Sequence, residues 1–229
     1  MKRLGAISQV TWYRLALLLT MAFLSACASP RNLEFRPLTV LPVLPVKLQA
    51  PPHFEPIGIA RPIDSRTDKE FCCGVDLNPA APILSVHYKM LTPDAAIWVG
   101  NAVASGLENG GYEIVPVQDA KAANTDYVIT IDVTEVGLHQ GFPVGTYVVG
   151  VAIELNRRGT QLLKRHYQLT HRASMTGNSL DSQSNAANAF NRVLEELLPV
   201  IVTDLATEIV SSSAETHRLT KADEHATQR

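Results

Sequence analysis

Three consecutive stretches in the second half of the chain alternate apolar and polar residues. Apolar side chains recur at nearly every second position in the runs 127–133, 147–155 and 163–169. A period of two is typical of a strand that has one face in the core and the other in water. Between the second and third runs, Asn156-Arg157-Arg158-Gly159 has the composition of a hairpin turn. The pattern therefore predicts a meander of three antiparallel strands.

Two other stretches repeat apolar residues at helical spacing. The first begins at Thr92-Pro93-Asp94, where we expect Thr92 as the N-cap, Pro93 as the first helical residue and Asp94 in the first turn. Gly110-Gly111 predicts its end. The second runs from about 184 to 210 and contains Pro199, which removes a backbone hydrogen bond and predicts a kink. Each helix has one apolar stripe, so we expect both to pack on a sheet.

Shorter apolar runs predict further strands at 57–60, 83–88 and 112–117, whereas the irregular stretch 68–82 predicts a loop. Together these elements predict an α+β fold, a two-layer sandwich in which two helices pack on one face of a mixed, mainly antiparallel sheet. We assign this single domain to residues 57–210. The polar residues 211–229 show no periodicity and are expected to form a flexible tail.

The first 26 residues have the organisation of a bacterial signal peptide. Basic residues precede the apolar run 15–24, and Leu24-Ser25-Ala26-Cys27 follows. That run is too short for a membrane-spanning helix, which needs about 20 residues. The Leu24–Cys27 stretch resembles the lipobox of bacterial lipoproteins. An ordinary secretory peptide, cleaved near Ala26 or Ala28, is the alternative.

The lipobox resemblance implies that Cys27 is acylated and becomes the first residue of the mature chain. Two or more acyl chains hold a protein stably on a membrane. Ala28 stands where, by resemblance to known sorting rules, an aspartate would favour the inner membrane, so we expect the outer membrane, with the domain facing the periplasm. Residues 27–56 contain seven prolines and are expected to form an extended tether, part of which, around 38–48, is apolar enough for an edge strand.

Composition narrows the class of partner. Cleavage before Cys27 removes three basic residues and no acidic residue, which takes the formal net charge from −2 to −5. A mildly acidic, exported chain lacks the basic surface of a nucleic-acid-binding protein. The expected partners are therefore the membrane, through the lipid anchor, and an envelope protein or a cell-wall component.

The two remaining cysteines, Cys72 and Cys73, are adjacent. An oxidising compartment favours a disulfide between them, while free or partner-linked thiols are a second reading. A metal site is a third, but no ligands accompany the pair at the spacings that metals require, so we expect no metal and no cofactor. A thiol-based enzyme would require a lowered thiol pKa near positive charge.

Other candidate residues have ordinary structural explanations. Asp64 and Arg66 follow the first strand, where they form either a polar ligand site or a local turn. His166 and His171 are five residues apart on one strand and so point to opposite faces. Leu138, Phe142 and Val144 form an apolar connection, which either packs over the end of the sheet or makes a lip that binds a partner.

The order of elements resembles that of the YajG-like family of small bacterial lipoproteins. The likeness is carried by four segments, 57–67, the helix start Leu91-Thr92-Pro93-Asp94, the strand Asp126-Tyr127-Val128-Ile129, and 185–209. A looser likeness connects the chain with auxiliary lipoproteins of envelope transporters. These resemblances imply a non-catalytic role in binding or assembly in the cell envelope. An auxiliary subunit of a lipid transporter is the alternative, and a thiol-based enzyme using Cys72 or Cys73 is a second alternative.

Overall fold

The structure is a computed structural model. It describes residues 31–33, 35, 37–52, 54–67, 71–76, 85–90, 94–118, 124–139, 144–174 and 182–227. The strands are β1 (Arg31–Leu33), β2 (Ile57–Ala60), β3 (Ile63–Asp64), β4 (Phe71–Asp76), β5 (Ser85–Met90), β6 (Ile114–Val117), β7 (Tyr127–His139), β8 (Val144–Arg157) and β9 (Thr160–Ser174). The helices are α1 (Ala95–Asn109) and α2 (Ser182–Thr227).

The main sheet has the strand order β6-β2-β7-β8-β9, and the short strand β3 also pairs with β7. β2 runs parallel to both β6 and β7, whereas the pairs β7–β8 and β8–β9 are antiparallel. The predicted meander and the mixed character of the sheet are confirmed. The predicted hairpin turn between β8 and β9 is also confirmed, with Arg158 at φ 47° and Gly159 at φ 83°.

Both helices pack on one face of the main sheet. The alternating apolar residues of the meander are buried there, among them Ile129, Ile131, Val151, Ile153 and Leu155. They meet the apolar stripe of α2, which includes Phe190, Leu194, Leu198, Ile201 and Leu205. The other face carries half-buried polar residues such as Thr130, Asp132, Thr134 and Glu154. The predicted α+β sandwich with helices on one side is therefore confirmed.

A second, smaller sheet has the order β1-β5-β4. β4 contains Cys72 and Cys73 and pairs antiparallel with β5, with Cys73 opposite Tyr88. The loop predicted at 68–82 is wrong for these residues. The sequence of β4 has no alternation, because Cys72, Cys73 and Gly74 interrupt it, and its strand character comes from pairing with β5.

Helix α1 begins two residues later than predicted. Its N-cap is Asp94, whose side chain accepts a hydrogen bond of 2.8 Å from the backbone N–H of Ile97. The predicted N-cap Thr92 is therefore wrong, because the carboxylate of Asp94 satisfies a free N–H of the first turn. Thr92 and Pro93 lie outside the described residues. The helix ends at Gly110, followed by Gly111 at φ 86°, as predicted.

Helix α2 is longer than its apolar pattern predicts. It includes Pro199 and continues to Thr227, through a polar region where we expected a frayed tail. Residues 211–227 contain neither glycine nor proline. Extending an existing helix needs no new nucleus, so a polar segment with adequate helix propensity can continue it.

Residues 35–54, which we call the strap, pack against the helices. Phe35 is 2% exposed and stacks on Trp98 of α1 with ring centroids 4.3 Å apart. Leu44 is buried against Gly110, and the carbonyl of Leu48 accepts a hydrogen bond of 2.8 Å from the Tyr112 hydroxyl. The edge strand expected around 38–48 is not formed; a single 3-10 turn, Val46–Leu48, lies there.

Candidate functional site

A cleft of about 610 Å³ lies at the end of the sheet where β7 begins and β8 turns into β9. We call it the hairpin-end cleft. It is lined by Pro51, Pro52, Phe54, Glu55, Asp126, Tyr127, Arg157, Arg158, Val210, Ser213 and Ala214. Its size falls within the range of about 300 to 1,000 Å³ that is typical of ligand sites.

Tyr127, the first residue of β7, joins the sheet to α2 beneath the cleft. Its ring is buried, and its hydroxyl lies 3.0 Å from Ser212 Oγ and 2.9 Å from Ser213 Oγ. The hydroxyl groups of neighbouring serines on α2 can thus satisfy a buried phenol. This arrangement fixes the wall formed by α2 relative to the sheet.

Arg157 lies over the Tyr127 ring at the end of β8. Its Cζ atom is 5.1 Å from the ring centroid, and its Nη1 donates a hydrogen bond of 2.7 Å to the carbonyl of Ser212. A guanidinium above an aromatic face gains from the negative charge of the ring quadrupole. Arg157 is therefore held in a defined position at the cleft.

Arg158 and Asp126 form the charged rim of the cleft. Arg158 Nε donates to Asp126 Oδ1 at 2.9 Å, and Nη2 lies 2.6 Å from Oδ2, so the pair is bidentate. The hydrogen bond from Arg158 lowers the pKa of Asp126, although partial burial acts in the opposite direction. The Arg158 side chain remains 67% exposed, so the rim presents a positioned but accessible guanidinium.

The strap supplies the opposite, apolar wall. Phe54 packs edge-on against Tyr112, with centroids 5.5 Å apart, and lies 5.7 Å from the Tyr127 ring. Burial raises the pKa of Tyr112 to about 12, with a smaller contribution from Tyr127. Tyr112 therefore keeps its proton and continues to donate to Leu48 at every physiological pH.

The cleft combines aromatic rings with arginines, which are the residues enriched at the energetic centres of protein interfaces. It also carries Glu55 and Asp126, so its charges are mixed. Across the part of the chain that the structure describes, no three His, Cys, Asp or Glu side chains gather closely enough to hold a metal ion. The cleft therefore presents both apolar and charged groups.

Sequence reasoning did not find this cleft. Its residues come from four segments that are far apart in the chain: the strap, the start of β7, the β8–β9 turn and α2. The one local signal was the pair Arg157-Arg158 in the predicted turn, which alone indicates only a solvated hairpin.

Of the three cysteines in the predicted sites, the structure describes only the backbone of Cys72 and Cys73. Cys27, the predicted lipidation site, lies outside the described residues. For Cys72 and Cys73 the structure describes the backbone as part of β4, and the predicted disulfide between their side chains lies outside what it describes.

The predicted apolar lip lies at the other end of the sheet from the cleft, about 45 Å away along β8. Leu138 is 5% exposed and belongs to the core. Val144 is 43% exposed, and Phe142 lies outside the described residues. The structure therefore gives Leu138 the packing role and leaves Val144 at the surface.

Asp64 and Arg66 form an ion pair, with Nη2 and Oδ2 2.6 Å apart and side chains 5% and 11% exposed for Arg66 and Asp64. Such burial suits a structural turn better than an accessible ligand site. His166 contacts Thr134 on the polar face of the sheet, and His171 lies 3.8 Å from Glu196 on the helical side. The prediction that these histidines point to opposite faces is confirmed.

The chain forms an α+β domain with a cleft at one end of its main sheet. No family model matches the sequence, and no curated protein matches it. The YajG-like resemblance therefore stays a prediction. In the described helices, no stretch is both long enough and apolar enough to cross a membrane.

The fold is similar to that of protein XCC0632 from Xanthomonas campestris, which carries the family label DUF330, with 17% identity, coverage of 80% of this chain and 99% of that chain, and a TM-score of 0.56. Lipoprotein GNA1162 from Neisseria meningitidis matches with 15% identity, coverage of 66% and 99%, and a TM-score of 0.35. PelC from Paraburkholderia phytofirmans, a dodecamer, matches with 19% identity, coverage of 69% and 95%, and a TM-score of 0.36. The likeness to XCC0632 indicates a shared fold and not a shared function. The TM-scores of the other two matches are too low to support a conclusion about this chain.

Proposed function

We propose that this chain is a lipoprotein of the bacterial cell envelope, anchored through lipid on Cys27, and that its domain binds a segment of another envelope protein in the hairpin-end cleft. The lipobox Leu24-Ser25-Ala26-Cys27 supports the anchor. Placement in the outer membrane, facing the periplasm, is part of the same proposal and rests on Ala28, which follows the cysteine.

The observation that carries the binding role is the grouping of Phe54, Tyr127, Arg157 and Arg158 around one cleft. Aromatic and arginine side chains contribute most of the energy in many protein interfaces. Arg157 is positioned by its contact with Tyr127 and by the carbonyl of Ser212. Because these groups are held before a partner arrives, binding loses less side-chain entropy.

The role that we propose is non-catalytic. The cleft has a positioned arginine, Arg157, and an ion pair between Arg158 and Asp126. We expect these groups to bind polar or charged groups of the partner. The alternative role in lipid transport requires an apolar groove between helices and sheet. The described residues at that junction pack closely, with Val103, Leu107 and Leu198 fully buried, so the geometry favours binding of a protein.

Photo-crosslinking from a single position tests the proposal. A photoreactive amino acid is placed at Ala214, an exposed residue on the cleft wall, or at Val200, an exposed residue of the same helix outside the cleft. In intact cells, we expect a crosslinked protein from position 214 and none from position 200. Adding Arg158→Glu to the Ala214 probe should remove the crosslink, because it reverses the charge at the rim.

Equal crosslinking from both positions would contradict a specific role for the cleft. So would a crosslink from position 214 that persists unchanged with Arg158→Glu. Arg61→Glu is the matched control, since Arg61 is also exposed but lies outside the residues that line the cleft. It should leave the crosslink intact.

A further inference from the structure

Three valines on the strap are unusually exposed. Val40, Val43 and Val46 are 65%, 82% and 84% exposed. We call this set the valine ridge. Single exposed apolar residues are ordinary, but an aligned set marks an interaction surface.

The three valines lie within seven consecutive residues of the strap. They recur every three residues, and the backbone at Pro45, with φ −54° and ψ 144°, is close to the polyproline II conformation. That conformation has three residues per turn, so every third side chain points in the same direction. Along the strap, the ridge from Val40 to Val46 spans at most about 20 Å.

The strap is held so that the valine ridge faces outward. Leu44, which lies between Val43 and Val46, and Leu48, which follows Val46, are buried. Pro42 lies where α1 meets α2, and its carbonyl accepts a hydrogen bond of 2.8 Å from Asn109 Nδ2. The inward residues are fixed in the core, so the exposed valines cannot turn inward without breaking these contacts.

Chain length places this surface near the proposed anchor. Phe35 is buried against Trp98 and Phe190, and it lies only eight positions after Cys27. Eight extended residues span about 28 Å at most. A free tether from 27 to 56 would span about three times that distance. A lipid on Cys27 would thus keep the start of the strap close to the membrane.

Charge also favours a lipid surface. Arg36 and Lys47 lie within residues 35–54, and Glu34 and Glu55 flank this range. Lys47 is exposed directly beside Val46, so the charge next to the ridge is positive. Bacterial membranes contain anionic lipids, which attract basic residues next to an apolar stripe.

From these observations we infer that the valine ridge docks on the membrane surface and orients the domain with its strap toward the lipid. The inference rests on the proposed lipidation of Cys27. The polar face of the sheet then points away from the membrane.

The test uses the full-length lipidated protein in vesicles of phosphatidylethanolamine and phosphatidylglycerol. A photoreactive amino acid replaces Val43 or, as a matched control, Ile63. Ile63 is also an exposed, branched apolar residue, at 51%, but it pairs with Asp132 on the polar face of the sheet. We expect lipid adducts at position 43 to exceed those at position 63 several-fold, and equal yields would overturn the inference.

A second variant tests the ridge as a unit. V40S/V46S, combined with the probe at 43, should lower the lipid adducts several-fold while leaving the thermal unfolding midpoint unchanged, since both side chains are exposed. An unchanged adduct yield would count against the ridge. In intact cells, a protein adduct at position 43 in place of lipid would assign the surface to a protein partner.

The same preparation separates the two proposals. If the wild-type protein carries no lipid and does not float with the vesicles, the proposed anchor fails. If it carries lipid and floats, yet position 43 makes no lipid adduct, the anchor stands and the orientation is wrong.

Discussion

The meander β7–β9 and the strap enter the same core by different means. In the meander, long strands pair residue by residue, and alternate side chains are buried. The strap has no strand pairing in its described part; its described backbone is tied to the domain by contacts such as that of Ala50 N with the Gly110 carbonyl. The buried side chains of Phe35, Leu44 and Leu48 also hold the strap on the domain.

This difference shows that regular structure is not what makes a segment part of the domain. A strand is recognised by its period, because hydrogen-bond pairing imposes one. An irregular segment leaves no such period, even when its side chains are as deeply buried. The strap should therefore matter to stability as much as the meander does, and the following changes test that equality.

The largest effect is expected from Phe35→Ala. Removing a buried ring that stacks on Trp98 should lower the free energy of unfolding by about 3–5 kcal/mol. Ile153→Ala, in the meander core, should cost about 2–5 kcal/mol. Urea unfolding of both variants measures the comparison.

A loose tether would give a different result. In that case Phe35→Ala would leave stability unchanged while Ile153→Ala remained costly. Val43→Ser is the control within the strap; because Val43 is exposed, its effect should stay within about 0.5 kcal/mol.

A smaller effect is expected from Gly110→Ala, at the point where α1 meets the strap. An added Cβ would lie 2.5 Å from Leu44 Cδ1 and 3.1 Å from the Leu107 carbonyl oxygen. Such crowding typically costs about 1–3 kcal/mol. Thermal or urea unfolding of the variant gives the value.

A double variant shows whether the strap causes that cost. Leu44→Ala makes room for the added methyl group, so Leu44→Ala and Gly110→Ala together should cost less than the sum of the two single changes. Strict additivity would mean that the strap does not press on Gly110.

The smallest effect is expected from Tyr112→Phe, which removes the hydrogen bond to the Leu48 carbonyl. The loss should be about 1 kcal/mol at neutral pH. Because burial raises the pKa of Tyr112 to about 12, the folded state holds this proton more tightly than the unfolded state, whose phenol titrates near 10.

The sign of the pH dependence follows from that difference. The contribution of Tyr112 is complete below pH 10 and is lost as the pH rises toward 12. Wild-type stability should therefore fall more steeply than that of Tyr112→Phe over this interval, as measured by urea unfolding. If the free energy of unfolding changed with pH in the same way for both proteins, folding would not raise the pKa of Tyr112.

The sequence predicted the elements that have a period and missed those that depend on distant contacts. The alternation of apolar and polar residues around Ile131 and Ile153 was enough to predict the meander and the α+β fold class. β4 was missed because Cys72 and Cys73 break its alternation, and its partner β5 lies across a gap in the pattern. The proline content of the strap predicted an extended tether but said nothing about where Phe35 and Leu44 pack.

The candidate site was less predictable than the fold. Arg157 and Arg158 belong to a turn that the sequence identifies, yet Tyr127 and Phe54 reach the cleft from other segments. A site assembled from four separate pieces has no spacing that a single sequence can reveal. The lipobox resemblance of Leu24–Cys27 is different, because it is carried by a local motif that a single sequence can show.

The most direct test of the account is metabolic labelling with a palmitate analogue, comparing the wild-type protein with Cys27→Ser. We predict that the wild-type protein takes up the label and sediments with the envelope membranes, and that Cys27→Ser loses both properties. A wild-type protein that is exported and soluble without label would contradict the account.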